Sequence, residues 1–208
     1  ISGSTSQLLK GELSSLLTGR HLDIIVFPLS FSEFLKFKGV QIGDKLDMVG
    51  RKGEIKSLLK EYLKFGGFPE VVLTKDEEVK KTILLTYFDD IITKDIVERH
   101  KIRRSEKLKT LAKFYLSNIS SLITFSSLEK FLNINSVTIE DFSSKLEEAF
   151  LIFFNKIFHP SVRKQEKMPR KVYSIDTGLC NAVGFKMDEN IGKLMENLVG
   201  IEMKRKNS

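Results

Sequence analysis

Residues 126–158 read SSLEKFLNINSVTIEDFSSKLEEAFLIFFNKIF, and their rhythm decides the fold. Leu128, Phe131 and Leu132 recur at helical spacing behind a cap near Ser126. Asn133-Ile134-Asn135 is a short turn, and Ser136 then caps a second helix with Ile139, Phe142, Leu146 and Ala149 inward. FLIFFNKIF (150–158) loses the helical period and reads as a strand. Before this stretch, Leu108, Leu111, Ala112, Tyr115 and Leu116 mark another helix. After it, the basic loop HPSVRKQEKMPR (159–170) leads to a second strand, KVYSID (171–176). Three helices, the last two in a tight turn, followed by a β-hairpin, describe a winged helix-turn-helix.

Further out, helices continue. EIKSLLKEYLKF (54–65) places Ile55, Leu58, Leu59, Tyr62 and Leu63 on one face. Gly66-Gly67 should end it, with Pro69 delaying any resumption, and a longer helix is predicted from about Glu77 to Arg99. Residues 39–53 read as a loop, and ENIGKLMENLVGIEMKRK (189–206) as one more amphipathic helix. At the start, Ser4-Thr5-Ser6-Gln7 fits a capping box before a leucine-rich helix, with Gly19 at its C-cap and Arg20 emerging from its end. LDIIVF (22–27) has the pattern of a strand buried on both faces, and Ser30-Phe31-Ser32-Glu33 is a second capping box.

Composition narrows the function classes. The 208 residues are 41% hydrophobic and 29% charged, with no apolar run near the roughly 20 residues of a membrane span. A single cysteine, Cys180, excludes an internal disulfide, which fits a reducing cytoplasm, and three scattered histidines give no metal-ligand spacing. No metal site built from His and Cys is therefore expected. The net charge of +7 is uneven: residues 1–100 balance 15 basic against 15 acidic side chains, while 101–208 hold 19 against 12. A basic half points weakly to a polyanion.

Two acidic motifs mislead. ILLTYFDDI (83–91) imitates the Mg²⁺-holding strand of an ATPase, but Ile83, Leu84, Tyr87, Phe88 and Ile91 keep helical period, so Asp89 and Asp90 should be solvated or paired with Lys94. Glu202-Met203-Lys204 spells the E-x-K of a nuclease, with Asp176 as a distant partner, yet Ile191, Leu194, Leu198 and Ile201 put it on a helix. Glu196 is the one acid kept as a contributor to a metal site.

Taken in order, SGSTSQLL (2–9), LLTGRHLDIIVFPLSFSEFL (16–35), GGFPEVV (66–72), YFDDIITKDI (87–96), LEEAFLIFF (146–154), KVYSIDTGL (171–179), NAVGF (181–185) and GKLMENLVGIEMKR (192–205) resemble one family. It is the large prokaryotic and archaeal group of AAA+ ATPases with a winged helix and a C-terminal restriction-nuclease-like domain of unknown function. The resemblance implies a mainly α fold with small β (α+β). Residues 1–38 would be the tail of the AAA+ core, 39–100 a helical lid, 101–175 the winged helix, and 176–208 the start of the nuclease-like domain. It also places a γ-phosphate sensor at Ser2-Gly3-Ser4, with Ser4 the catalytic hydroxyl, though Ser4 also serves as a helix cap. Arg20 matches an arginine finger reaching a neighbour's nucleotide in a homo-oligomer.

No G-x-x-x-x-G-K-[ST] occurs, so the P-loop half that holds ATP and Mg²⁺ is expected before Ile1, and no cofactor is expected for these residues alone. Two alternatives to the ATPase reading stay open. One is non-specific DNA binding through the basic wing, by Arg163, Lys164, Lys167, Arg170 and Lys171. The other is a non-catalytic interaction scaffold, with the winged helix as a spacer. The second helix of the turn carries Ser136, Thr138, Ser143 and Ser144, but its Glu140, Asp141, Glu147 and Glu148 face only Lys145 in charge, a balance that repels phosphate.

Overall fold

Helices and one small antiparallel sheet make up residues 24–184 and 190–207, the part of the chain that the computed structural model describes. Helix α1 (Phe31–Phe37) starts from the anticipated capping box: Glu33 N–H donates to Ser30 Oγ (3.3 Å), and Ser30 N–H donates to the Glu33 carboxylate (2.8 Å). The expected loop at 39–53 contains helix α2 (Lys45–Gly50), because the Asp44 carboxylate takes up Asp47 N–H at 2.8 Å and starts a turn. Helix α3 (Lys52–Phe65) ends at Gly66, whose φ is +77°.

Pro69 does not delay the next helix. It occupies the first position of α4 (Pro69–Leu73), where a missing N–H costs nothing and the ring presets φ. Helix α5 (Glu77–Asp90) is capped by Asp76 and runs into a π-helical stretch, Ile91–Glu98, giving the long helix expected there. ILLTYFDDI is helical: Leu84 and Phe88 are buried, Asp90 pairs with Lys94 (2.8 Å), and Asp89 pairs with Lys109 (2.7 Å).

The predicted buried strand LDIIVF fails in its described part. Residues 24–27 are not in a strand, and Ile24 and Val26 are 77% and 87% exposed. A strand exists only through pairing, and among the described residues no strand lies beside them. Phe27 instead packs on Phe153, Tyr173 and Ile201.

Helices α6 (Ser105–Ser117), α7 (Phe125–Leu132) and α8 (Ser136–Glu148) follow in the order read from periodicity. The caps sit one or two residues earlier than expected. Thr124 caps α7 and Asn135 caps α8, with Asn133 left-handed between them. Strand β1 (Leu122–Ile123) precedes α7, and β2 (Ile152–Lys156) and β3 (Arg170–Ser174) form the hairpin, with a short helix α9 (Val162–Lys167) in its loop. The sheet order is β1-β3-β2, all antiparallel, with Ile152 opposite Ser174 and Leu122 opposite Lys171. Helices α10 (Thr177–Val183) and α11 (Ile191–Lys206) complete the described chain.

One main core joins these elements. Leu108, Leu111, Tyr115, Leu116, Ile139, Leu146 and Leu151 are fully buried together with Leu84 and Phe88 from α5. The Tyr115 and Ser143 hydroxyls meet at 2.7 Å inside it, so these two buried hydroxyls are satisfied by each other.

Candidate functional site

Of the residues the sequence nominates, Ser2, Gly3, Ser4 and Arg20 lie outside the described residues, as does the Lys167 side chain. The remaining four divide by position. Arg163 and Lys164 are exposed on α9, at the tip of the hairpin, beside Phe158 and Val162, which are 85% and 69% exposed. Arg170 lies at the start of β3, its guanidinium 4.3 Å from the Phe125 ring centre and 6.0 Å from that of Phe154. Lys171 donates to Glu196 at 2.6 Å. The tip thus offers two cations to a partner, while the two at its base are already engaged by the protein.

The acids of helix α8 are partly engaged within the protein. Asp141 pairs with Lys145, Glu147 accepts the Phe154 N–H (2.9 Å), and Glu148 lies 3.8 Å from His100. Val137, Glu140 and Ser144 remain on its exposed side. Lys145 is one turn from Asp141 and readable in the sequence, whereas Phe154 and His100 meet Glu147 and Glu148 from outside the helix.

The decoys resolve as structure. Glu196 accepts from Lys171 and from the Tyr173 hydroxyl (2.9 Å), and the Lys171 hydrogen bond, outweighing burial, lowers its pKa. Glu202-Met203-Lys204 is helical. Among the described residues, no three His, Cys, Asp or Glu side chains gather as a metal site would need, and no helix is long and apolar enough to cross a membrane.

A polar junction, missed by sequence reasoning, sits where GGFPEVV meets SIDTGL. Asp176 is buried and accepts three backbone N–H groups, from Gly67 (2.7 Å), Gly178 (2.8 Å) and Leu179 (3.3 Å). Burial pushes its carboxyl up to about 6 against the pull of those donors. Thr177 Oγ1 donates to the Tyr62 carbonyl (3.1 Å), and Asn181 Nδ2 caps the end of α3 through the Leu63 and Lys64 carbonyls, each at 2.8 Å. The same junction fixes the chain that leads in from residue 24. Leu29 N–H donates to the Gly67 carbonyl (2.8 Å), the Tyr62 hydroxyl donates to the Leu29 carbonyl (2.6 Å), and Arg205 of α11 donates to the Pro28 carbonyl (2.8 Å). The signals for it were the paired glycines and an Asp two residues before Gly178, but nothing local says they meet.

A family model for a domain of unknown function (DUF8612) matches residues 56–190, and a model for an AAA domain matches residues 1–35. Two curated relatives are uncharacterized proteins, from Methanocaldococcus jannaschii and Haemophilus influenzae. Each is 35% identical over 211 residues and aligns with 99% of this chain. The chain spans about half the length of these relatives, 47% and 50% respectively. No solved structure matches it.

Proposed function

The chain belongs to the DUF8612 family, and from that premise we propose that it is the rear part of an AAA-type ATPase, unable to hydrolyse ATP alone. The AAA-domain match over residues 1–35 carries this reading, because that stretch contains both Ser4 and Arg20. Ser4 senses the γ-phosphate through its hydroxyl, alongside Ser2 and Gly3, and Arg20 stabilises the charge that develops on the transferred phosphoryl group in a neighbouring copy. The P-loop and the Mg²⁺-holding acids belong to polypeptide outside residues 1–208. The clamp on Pro28 and Leu29 supports a fixed connection between the AAA-matching segment and the helical body, since both carbonyls are held by side chains from distant elements.

Adding Mg²⁺-ATP should leave the melting temperature of residues 1–208 unchanged and raise that of the full-length protein. In the full-length protein, Arg20→Ala should cut turnover by about 10³-fold with ATP binding retained. Micromolar ATP affinity in residues 1–208, or full turnover in the Arg20→Ala protein, would refute the reading.

A second reading is favoured by the hairpin. Helices α6 to α8 with sheet order β1-β3-β2 support a winged helix, and the exposed Arg163 and Lys164 support phosphate-led, non-specific DNA contact through its wing.

A further inference from the structure

The loop that closes the β2–β3 hairpin holds an aromatic ring out into solvent. Phe158 is 85% exposed, the most of any described phenylalanine, against 59% for Phe131. The chain on either side of it is tied down. Gln165 Nε2 donates to the Ile157 carbonyl (3.2 Å), and the Ser161 N–H donates to His159 Nδ1 (2.9 Å). The ring therefore stands on a braced loop, where binding costs little further ordering. Val162, Arg163 and Lys164 are exposed beside it. Over residues 159–170 the sequence sets Arg163, Lys164, Lys167 and Arg170 against a single acid, Glu166. Arg170 is taken up by Phe125 at the base, and Lys156 at the end of β2 is exposed but lies close enough to attract Glu147.

An apolar ring between cations fits a ligand in which flat apolar groups alternate with negative charge. Nucleic acid has that alternation, and a phenylalanine ring stacks on a base of any identity provided its face is open. In a duplex those faces are covered, and uncovering one costs unstacking energy. An unpaired strand presents them free. A membrane surface is the poorer match, because interfacial binding grows with buried apolar area and one ring with one valine is a narrow anchor.

We propose that Phe158 stacks on a base of single-stranded DNA while Arg163 and Lys164 meet the neighbouring phosphates. This rests on the reading of the hairpin as a phosphate contact and adds a strand preference to it.

The chain contains no tryptophan, so Phe158→Trp places a single reporter at the tip and keeps an aromatic ring there. At low salt its emission should be quenched by a single-stranded oligonucleotide of mixed sequence and should not change with an abasic strand of equal length. Phe158→Ala, with the cations intact, should weaken binding of the oligonucleotide about tenfold and leave the slope of log affinity against log salt unchanged. Its affinity for closed circular duplex DNA should match that of the native protein, and its melting temperature should shift by less than about 2 °C. Equal affinity of the native and Phe158→Ala proteins for the single strand overturns the proposal and leaves the phosphate contact standing. An equal loss on both kinds of DNA overturns it too. Failure of the native protein to bind either DNA refutes the phosphate contact and the proposal together. An emission change of the Phe158→Trp protein on phosphatidylserine vesicles, with none on the oligonucleotide, overturns it in favour of a membrane surface.

Discussion

The junction around Asp176 and the tip of the hairpin both carry polar groups, and they treat them in opposite ways. At the junction a carboxylate, three glycines (Gly66, Gly67 and Gly178) and the surrounding backbone close on one another without spare room. A Cβ built on Gly66 would fall 2.0 Å from Asp176 Oδ1, and one on Gly178 would fall 2.2 Å from the Phe65 carbonyl. At the tip, Arg163 and Lys164 stand in solvent beside exposed apolar side chains. Polar atoms whose donors and acceptors are all met inside the protein hold the fold. Charges left facing water are the ones available to a partner.

The sharpest way to break this contrast is Gly66→Ala. It forces an L side chain to φ +77° and into the Asp176 carboxylate, so we expect a loss of about 3–5 kcal/mol and a melting temperature lower by roughly 10 °C. Gly53→Ala is the control, since nothing lies within 4 Å of its Cβ and it sits inside α3. Removing backbone freedom there should leave stability unchanged or raise it by up to about 1 kcal/mol. Equal losses at Gly53 and Gly66 would mean that the close approach at the junction is not what matters.

The pH dependence of stability tests the buried carboxyl itself. Asp176 titrates at about 6 in the fold and at about 3.9 in an unfolded chain. The folded state therefore binds the proton more tightly, and the group's contribution is largest below pH 4. It declines as pH rises through 6, by about 2–3 kcal/mol in all. Urea midpoints of the native protein minus those of Asp176→Asn should fall over that interval. A difference that rises with pH would show that the three N–H donors outweigh burial and hold the carboxylate charged.

How much of this was legible depends on the range of the interactions involved. The helices at 54–65, 77–98 and 105–148 follow from apolar spacing within each segment, and so does the hairpin. Strand β1 is only Leu122–Ile123, and it is a strand because β3 lies beside it, some fifty residues later. Gly67 donates to a carboxylate 109 positions away, so neither the glycine pair nor Asp176 announces the junction. The same limit applied to the hairpin. Counting basic residues between 163 and 171 gave five candidates, but Phe125 and Glu196, which occupy Arg170 and Lys171, come from elements outside the hairpin.

That split within the hairpin yields the smallest expected changes in stability and the most informative ones for function. Arg170→Ala removes a guanidinium that lies 4.3 Å from the Phe125 ring centre and 6.0 Å from that of Phe154, and should cost about 1 kcal/mol. Arg163→Glu with Lys164→Glu should alter stability by less than about 0.5 kcal/mol, because both side chains are exposed. If the tip contacts phosphates, the pair of reversals removes low-salt DNA binding, while alanine at both positions lowers the slope of log affinity against log salt by about 2. Arg170→Ala should then weaken DNA binding only in proportion to its effect on folding. Binding that survives the reversals removes the hairpin tip as a phosphate contact. Binding lost through Arg170 at unchanged stability moves the contact from the tip to the base of the hairpin, and with it the line drawn here between charges that hold the fold and charges that face a partner.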